Sequence, residues 1–148
     1  WRGLAGAGSD GLRQGVIEAA FQALTRTAQT ARHTPGATDM AAETLVWLGP
    51  CIGPLAFEVG SEVRDVFVAH QADAAPCFKP SVMAGKYLAD LQALARLRLR
   101  ALGITQIHGN DGTPAWCTAT QTSRFFSHRR DAARLGSTGR MAACIHMA

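Results

Sequence analysis

A chain of 148 residues, 47% apolar and 18% charged, is sized and composed for one ordinary globular domain and not for a disordered segment. Fifteen Lys and Arg against eleven Asp and Glu leave a formal net charge of +4, which suits an anionic ligand and says nothing about fold. The most apolar stretch, residues 45–57, is too short to span a bilayer and is interrupted by Gly49, Pro50, Gly53 and Pro54, so no membrane segment is expected.

In chain order, residues 3–11 read as a Gly-rich loop with no leader pattern, opening into a helix over Leu12–Thr27. There Leu12, Val16, Ala20, Phe21 and Leu24 make one apolar face. Residues 30–39, with Pro35 and Gly36, read as a loop. Thr44–Leu48 is predicted to be a buried strand that stops at the turn "GPCIGP". Phe57–Val68 is predicted to be a short helix with Val59, Val63, Val66 and Phe67 inward, followed by a loop over 72–85. Lys86–Leu102 is the clearest helix, striped by Tyr87, Leu88, Leu91, Leu94, Ala95 and Leu102 and stopped by Gly103, with Arg96 and Arg100 on a solvated face. Strands are expected at Ile104–His108, Phe125–Arg129 and Met141–His146, with a turn over 109–114. Helices and strands interleave, so the expected class is α+β with a mixed sheet and packed helices.

Three constellations bear on chemistry. Gly6, Gly8 and Gly11 match G-x-G-x-x-G before a helix, but no acid stands about twenty residues on, so a flexible helix entry is the better reading. Residues 124–140 gather Arg124, His128, Arg129, Arg130, Arg134 and Arg140 around Phe125 and Phe126. Such a mixture suits phosphate or carboxylate binding or, with the aromatics stacking on bases, a non-enzymatic basic module that binds nucleic acid, although strand alternation would split it between two faces. The five His and four Cys are scattered, with no C-x-x-C pair, no zinc-finger spacing and no nucleophile elbow. Cys51, Cys77, Cys117 and Cys144 are expected to be reduced, mostly buried thiols of a cytosolic protein.

Six stretches carry a family resemblance: "WRGL" at 1–4, "WLGPCIGPLAFEVGSEV" at 47–63, "KYLADLQALARLRL" at 86–99, "CT" at 117–118, "FFSHRRD" at 125–131 and "TGRMA" at 138–142. In this order the chain resembles the YfiH family, whose members are also called laccase-domain, polyphenol oxidase or peptidoglycan-editing-factor proteins. The resemblance implies an α+β domain similar in fold to the catalytic domain of cytotoxic necrotizing factor, in the cytoplasm. It implies zinc-dependent phosphorolysis of adenosine, inosine, guanosine and methylthioadenosine, with deamination of adenosine. The family's older descriptions, a copper-dependent polyphenol oxidase and a peptidoglycan-editing factor, stand as alternatives. The implied partners are purine nucleosides and phosphate, with neither nucleic acid nor membrane.

In the family, two His and one Cys hold the metal. One of these His belongs to a His-Ala-Gly-Trp-Arg-Gly stretch whose last three residues correspond to Trp1, Arg2 and Gly3. The resemblance therefore implies that residues 1–148 are the C-terminal part of a single domain whose N-terminal part is missing. The ligands would fall before Trp1, and none of the four Cys stands at the metal position. The chain alone is expected to hold no zinc and to be inactive, and no catalytic residue is assigned within it. Arg2, Arg129 and Arg130 are the implied substrate-binding residues, one of the last two facing the pocket and the other pairing with Asp131. His128 stands where many relatives have Tyr, and residues 132–137 suggest a longer surface loop.

Overall fold

The structure, a computed structural model, describes residues 9–32 and 40–141. Its elements are α1 (Ser9–Arg13), α2 (Val16–Arg32), α3 (Met40–Glu43), β1 (Leu45–Leu48), β2 (Glu58–Gly60), α4 (Ser61–His70), β3 (Phe78–Pro80), β4 (Lys86–Ala89), α5 (Leu91–Ala101), β5 (Gln106–Gly109) and α6 (His128–Leu135). Single 3-10 turns occupy Ala72–Cys77 and Pro114–Trp116. The α+β class is thus borne out, with two small sheets rather than one mixed sheet among the described residues. β1 and β5 pair in parallel, while β2, β4 and β3 form an antiparallel sheet with β4 in the centre. Parallel neighbours need a long crossover, and β2 through α5 supply it.

The core is built around α5. Leu91, Leu94, Ala95 and Leu99 are buried, meeting Phe57, Val59, Phe67, Phe78, Ala89 and Ile104. Arg98 is buried on the same helix: its guanidinium reaches Glu18 of α2 at 2.9 Å and lies 5.6 Å from the centre of the Phe67 ring. A buried cation needs such a partner, and the pair ties α2 to α5. The helix starts where the Asp90 carboxylate accepts the Ala93 N–H at 3.0 Å.

Several sequence expectations change. The predicted helix over 86–102 gives its first four residues to β4, which is paired on both edges. The apolar residues of β4 fit a helical stripe, but the backbone pairs with β2 and β3 instead. Likewise the helix over 57–68 begins as strand β2, and α4 follows through His70. The loop over 72–85 contains a 3-10 turn and β3. The first predicted helix is two helices parted at Gly15, whose φ of 77° is left-handed. It begins at Ser9, inside the expected Gly-rich loop, and α2 runs to Arg32, into the expected loop over 30–39. β1 is not fully buried: Leu45 and Trp47 are 58% and 49% exposed, while Val46 and Leu48 pack against the core.

The largest correction lies near the C-terminal end. Phe125–Arg129 is not a strand; Ser127 caps α6, which runs to Leu135 and ends at Gly136 in a left-handed turn, φ 71°. The suspected surface insertion at 132–137 is largely the last turn of this helix. Met141 lies in no regular element, and the rest of the strand expected over Met141–His146 lies outside the described residues, as does residue 2. Among the described residues no helix is long and apolar enough to cross a membrane.

Candidate functional site

The α6 cap sets the two arginines of the "SHRRD" stretch to different tasks. The Ser127 hydroxyl accepts the Arg130 N–H at 3.4 Å, and the Ser127 N–H donates to Asp131 Oδ2 at 3.0 Å. These reciprocal bonds satisfy donors that a helix start leaves open. Arg130 then spends all five of its N–H groups. Its Nε and Nη2 grip the two oxygens of Asp131 at 2.7 and 2.8 Å, Nη2 also donates to Phe125 O at 2.9 Å, and Nη1 donates to Thr118 O at 2.7 Å and Ala119 O at 3.4 Å. Arg130 side-chain hydrogen bonding, then the Ser127 N–H, hold the Asp131 carboxyl below its usual value. Arg130 is therefore the arginine of the two that pairs with Asp131, with its five N–H groups engaged among the described residues.

Arg129 points elsewhere. Its Nη1 donates to the Glu58 carbonyl of β2 at 2.9 Å, and its guanidinium lies 5.3 Å from the Phe57 ring centre. The side chain is exposed and keeps donors beyond the one used by Glu58. Of the two described arginines expected at substrate, it is the one the structure presents to solvent. Arg2 lies outside the described residues.

Behind α6 sits a thiol-lined junction. Cys51, in the "GPCIGP" turn, bridges in parallel to Cys117, and the Thr118 N–H donates to Cys51 O at 2.9 Å. Cys117 Sγ accepts the Gly53 N–H at 3.1 Å. A side chain at position 53 would press its Cβ to 3.0 Å from the Cys117 Cβ, so glycine permits this approach. Asn110 is 2% exposed and donates to Gly49 O at 3.1 Å and Cys51 Sγ at 3.4 Å. Burial pushes the Cys51 thiol up to about 11. At Cys117 burial also acts upward, but bonds from Thr120, Gly53 and Ala119 outweigh it and hold the thiol below its usual value. Cys51 and Cys77 are only half-buried, and all three described Cys are free thiols, Cys144 lying outside the described residues.

Sequence reading missed Asn110 and Arg96 as connectors. Arg96 was expected on a solvated face, yet it donates to Ile107 O at 3.1 Å and Asn110 O at 2.7 Å, joining α5 to the end of β5. The Gly109–Asn110 pair carried the available signal. Gly109 has φ 85°, and an added Cβ would stand 2.3 Å from Leu48 O.

No group of three His, Cys, Asp or Glu among the described residues could hold a metal ion. His70, His108 and His128 are exposed on separate elements. The described residues therefore do not fit a zinc or copper centre.

The chain is similar to known proteins along nearly its whole length. A purine nucleoside phosphorylase of Pseudomonas aeruginosa is 45% identical over 139 residues, which are 94% of this chain and 49% of that protein. The Escherichia coli purine nucleoside phosphorylase YfiH is 49% identical over 108 residues, 72% of this chain and 40% of that protein. The chain spans about half the length of the curated relatives it matches. Among solved structures, a Neisseria meningitidis protein, NMB0706, matches with a TM-score of 0.68 and 38% identity, covering 86% of this chain and 45% of that one. Bacillus licheniformis YfiH matches with the same TM-score at 26% identity, covering 86% and 44%. These relatives bear out the YfiH resemblance and the α+β fold. The family model described as "Multi-copper polyphenol oxidoreductase laccase" matches residues 2–148, and the chain belongs to that family.

Proposed function

We propose that this chain is part of a cytoplasmic, zinc-dependent purine nucleoside phosphorylase that cleaves adenosine, inosine, guanosine and methylthioadenosine with phosphate and also deaminates adenosine. The observation that carries the reading is the 45% identity, over 94% of this chain, to a protein named purine nucleoside phosphorylase. By the family resemblance the zinc ligands are proposed to precede the Trp-Arg-Gly stretch, and the part proposed for this chain is to hold the anion. Phosphorolysis needs phosphate held at the anomeric carbon of the ribose, with its charge offset and its oxygen oriented. Arg129, exposed and steadied by Glu58 O and the Phe57 ring, is suited to that task, and Arg2 is proposed to share it. Arg130 supports the site through Asp131.

The intact protein, incubated with inosine, phosphate and zinc, is expected to release hypoxanthine and ribose-1-phosphate. Residues 1–148 alone are expected to release none. Arg129→Ala in the intact protein is expected to raise the phosphate KM by about tenfold or more, the worth of one charge-assisted hydrogen bond. Absence of hypoxanthine at every pH tested would remove the reading. A second reading, copper-dependent oxidation of phenols, is favoured by the family's description. Oxidation of a phenol by the copper-loaded protein under oxygen, without phosphorolysis, would install it.

A further inference from the structure

The charge of this chain is concentrated in one place. Residues 122–141 hold five arginines and one acid, a formal +4 equal to the whole net charge. The other 128 residues hold ten cations and ten acids. The one acid in the segment, Asp131, is 4% exposed, is clasped by Arg130 and also interacts with Arg134, so one acid stands against five arginines. What the segment shows to solvent is therefore cationic: Arg124, Arg129, Arg134 and Arg140 are all exposed.

Two of these arginines share a depression with one exposed aromatic ring, and Arg124 also lies over the neighbouring Phe125 ring, 5.0 Å from its centre. Phe126 is 54% exposed. Gly139 approaches it so closely that an added Cβ would stand 2.6 Å from the ring, and Arg140 is the next residue in the chain. Phe126, Arg124 and Arg134 line a shallow depression of about 260 Å³ together with Leu135, which is 58% exposed. Leaving a phenylalanine in water forgoes the burial that such a side chain normally gains.

We infer that this surface binds single-stranded nucleic acid, with one base stacked on Phe126 and the flanking phosphates held by Arg124, Arg134 and Arg140. An exposed ring set among guanidinium groups matches the alternation of flat base and phosphate along a single strand. An acidic peptide would use the cations but offers no plane for the ring. A membrane would need a broader apolar face than Phe126 and Leu135 provide. The site takes up the nucleic-acid reading of the basic cluster against the partners that the family resemblance implies, and it is independent of the phosphorylase reading, since none of its four residues is assigned to the nucleoside.

The test is fluorescence anisotropy of a labelled short oligothymidine titrated with the intact protein at increasing salt. The logarithm of the affinity is expected to fall linearly with the logarithm of salt, with a slope near −2 for three phosphate contacts on a single strand. Phe126→Leu keeps an apolar side chain but removes the stacking face, and is expected to weaken binding about tenfold without changing the slope. Arg124→Gln with Arg134→Gln is expected to weaken binding and flatten the slope to about −0.7, the value for one remaining phosphate contact, with circular dichroism checking that α6 keeps its helix. No binding at low salt, a flat salt response, or an unchanged affinity in Phe126→Leu would each overturn the inference. So would oligoglutamate or anionic vesicles binding as tightly as the oligonucleotide, which would reassign the surface to an acidic protein or a membrane.

Discussion

Up to Gly109 and beyond it, the described structure is held together by different forces. In the first region the buried residues are apolar, apart from Arg98, and converge on α5. In the second, the buried residues are Asn110, Cys117, Thr118, Ser127 and Asp131, so Cys117 is the one apolar residue among them. Apolar burial is non-directional and accumulates with area, so the α5 region can tolerate adjustment at any one contact. Buried polar groups must find partners in fixed geometry, and a half-satisfied network costs more than an apolar replacement. The C-terminal region therefore depends on a few bonds being made together, above all the Ser127–Arg130–Asp131 set and the Asn110 junction.

The contrast is easiest to break at Leu94, which is 2% exposed at the centre of the first region. Leu94→Ala removes buried methyl groups and leaves a cavity, for a loss of about 2–5 kcal/mol in urea unfolding. The loss should be global, lowering the denaturation midpoint for probes in both regions together. A loss under about 1 kcal/mol, within the range of a surface change, would show that α5 does not carry the fold.

The link between the regions is sensitive to pH, and the sign follows from Cys51. Its thiol is pushed up to about 11 from an ordinary 9.0 mainly by burial, so the fold favours the protonated form. Its contribution is complete below 9.0 and is lost as pH rises through about 11. Two units correspond to a loss on the order of 2 kcal/mol, opposed in part by the lowered thiol of Cys117. Urea unfolding at pH 9 and pH 11 should show this drop, and Cys51→Ser should flatten it. At the acid end the sign reverses. The carboxyl of Asp131 is held low, so its contribution is present above the ordinary value and fades as pH falls through the lowered one.

The same division explains what was legible in the sequence. Leu91, Leu94, Ala95 and the stop at Gly103 declare α5 by spacing alone, and Thr44–Leu48 and Ile104–His108 announce β1 and β5 to within two residues. Tyr87 and Leu88 misled because they continue the helical stripe, whereas their strand is fixed by pairing with residues 58–60 and 78–80, which local spacing does not record. Phe125 and Phe126 suggested a strand, but the Ser127 hydroxyl and the Asp131 carboxylate together start a helix. The acid stands four residues after the cap rather than three, so the usual cap pattern did not show it. In the site, family resemblance brought out the arginine pair and Asp131. The contact of Arg129 with Glu58, 71 residues away, and the bridge of Cys51 to Cys117 arise from tertiary structure and leave no local trace.

The finest test of the contrast compares two helix caps. Asp90 and Ser127 each accept a backbone N–H at the start of a helix, Asp90 from Ala93 at 3.0 Å and Ser127 from Arg130 at 3.4 Å. Replacing either by Ala costs about 1 kcal/mol in helix stability. α5 is bound to the core by Leu91, Leu94 and Leu99, so it cannot fray without unfolding the molecule, and Asp90→Ala should lower global stability by that amount. α6 is anchored by the cap and by Asp131, so Ser127→Ala should free the helix locally. Amide exchange is expected to quicken several-fold across His128–Leu135 at a smaller cost to the global midpoint. Equal global losses from the two caps, with no selective quickening in α6, would mean that the polar network is as cooperative with the core as the leucines are.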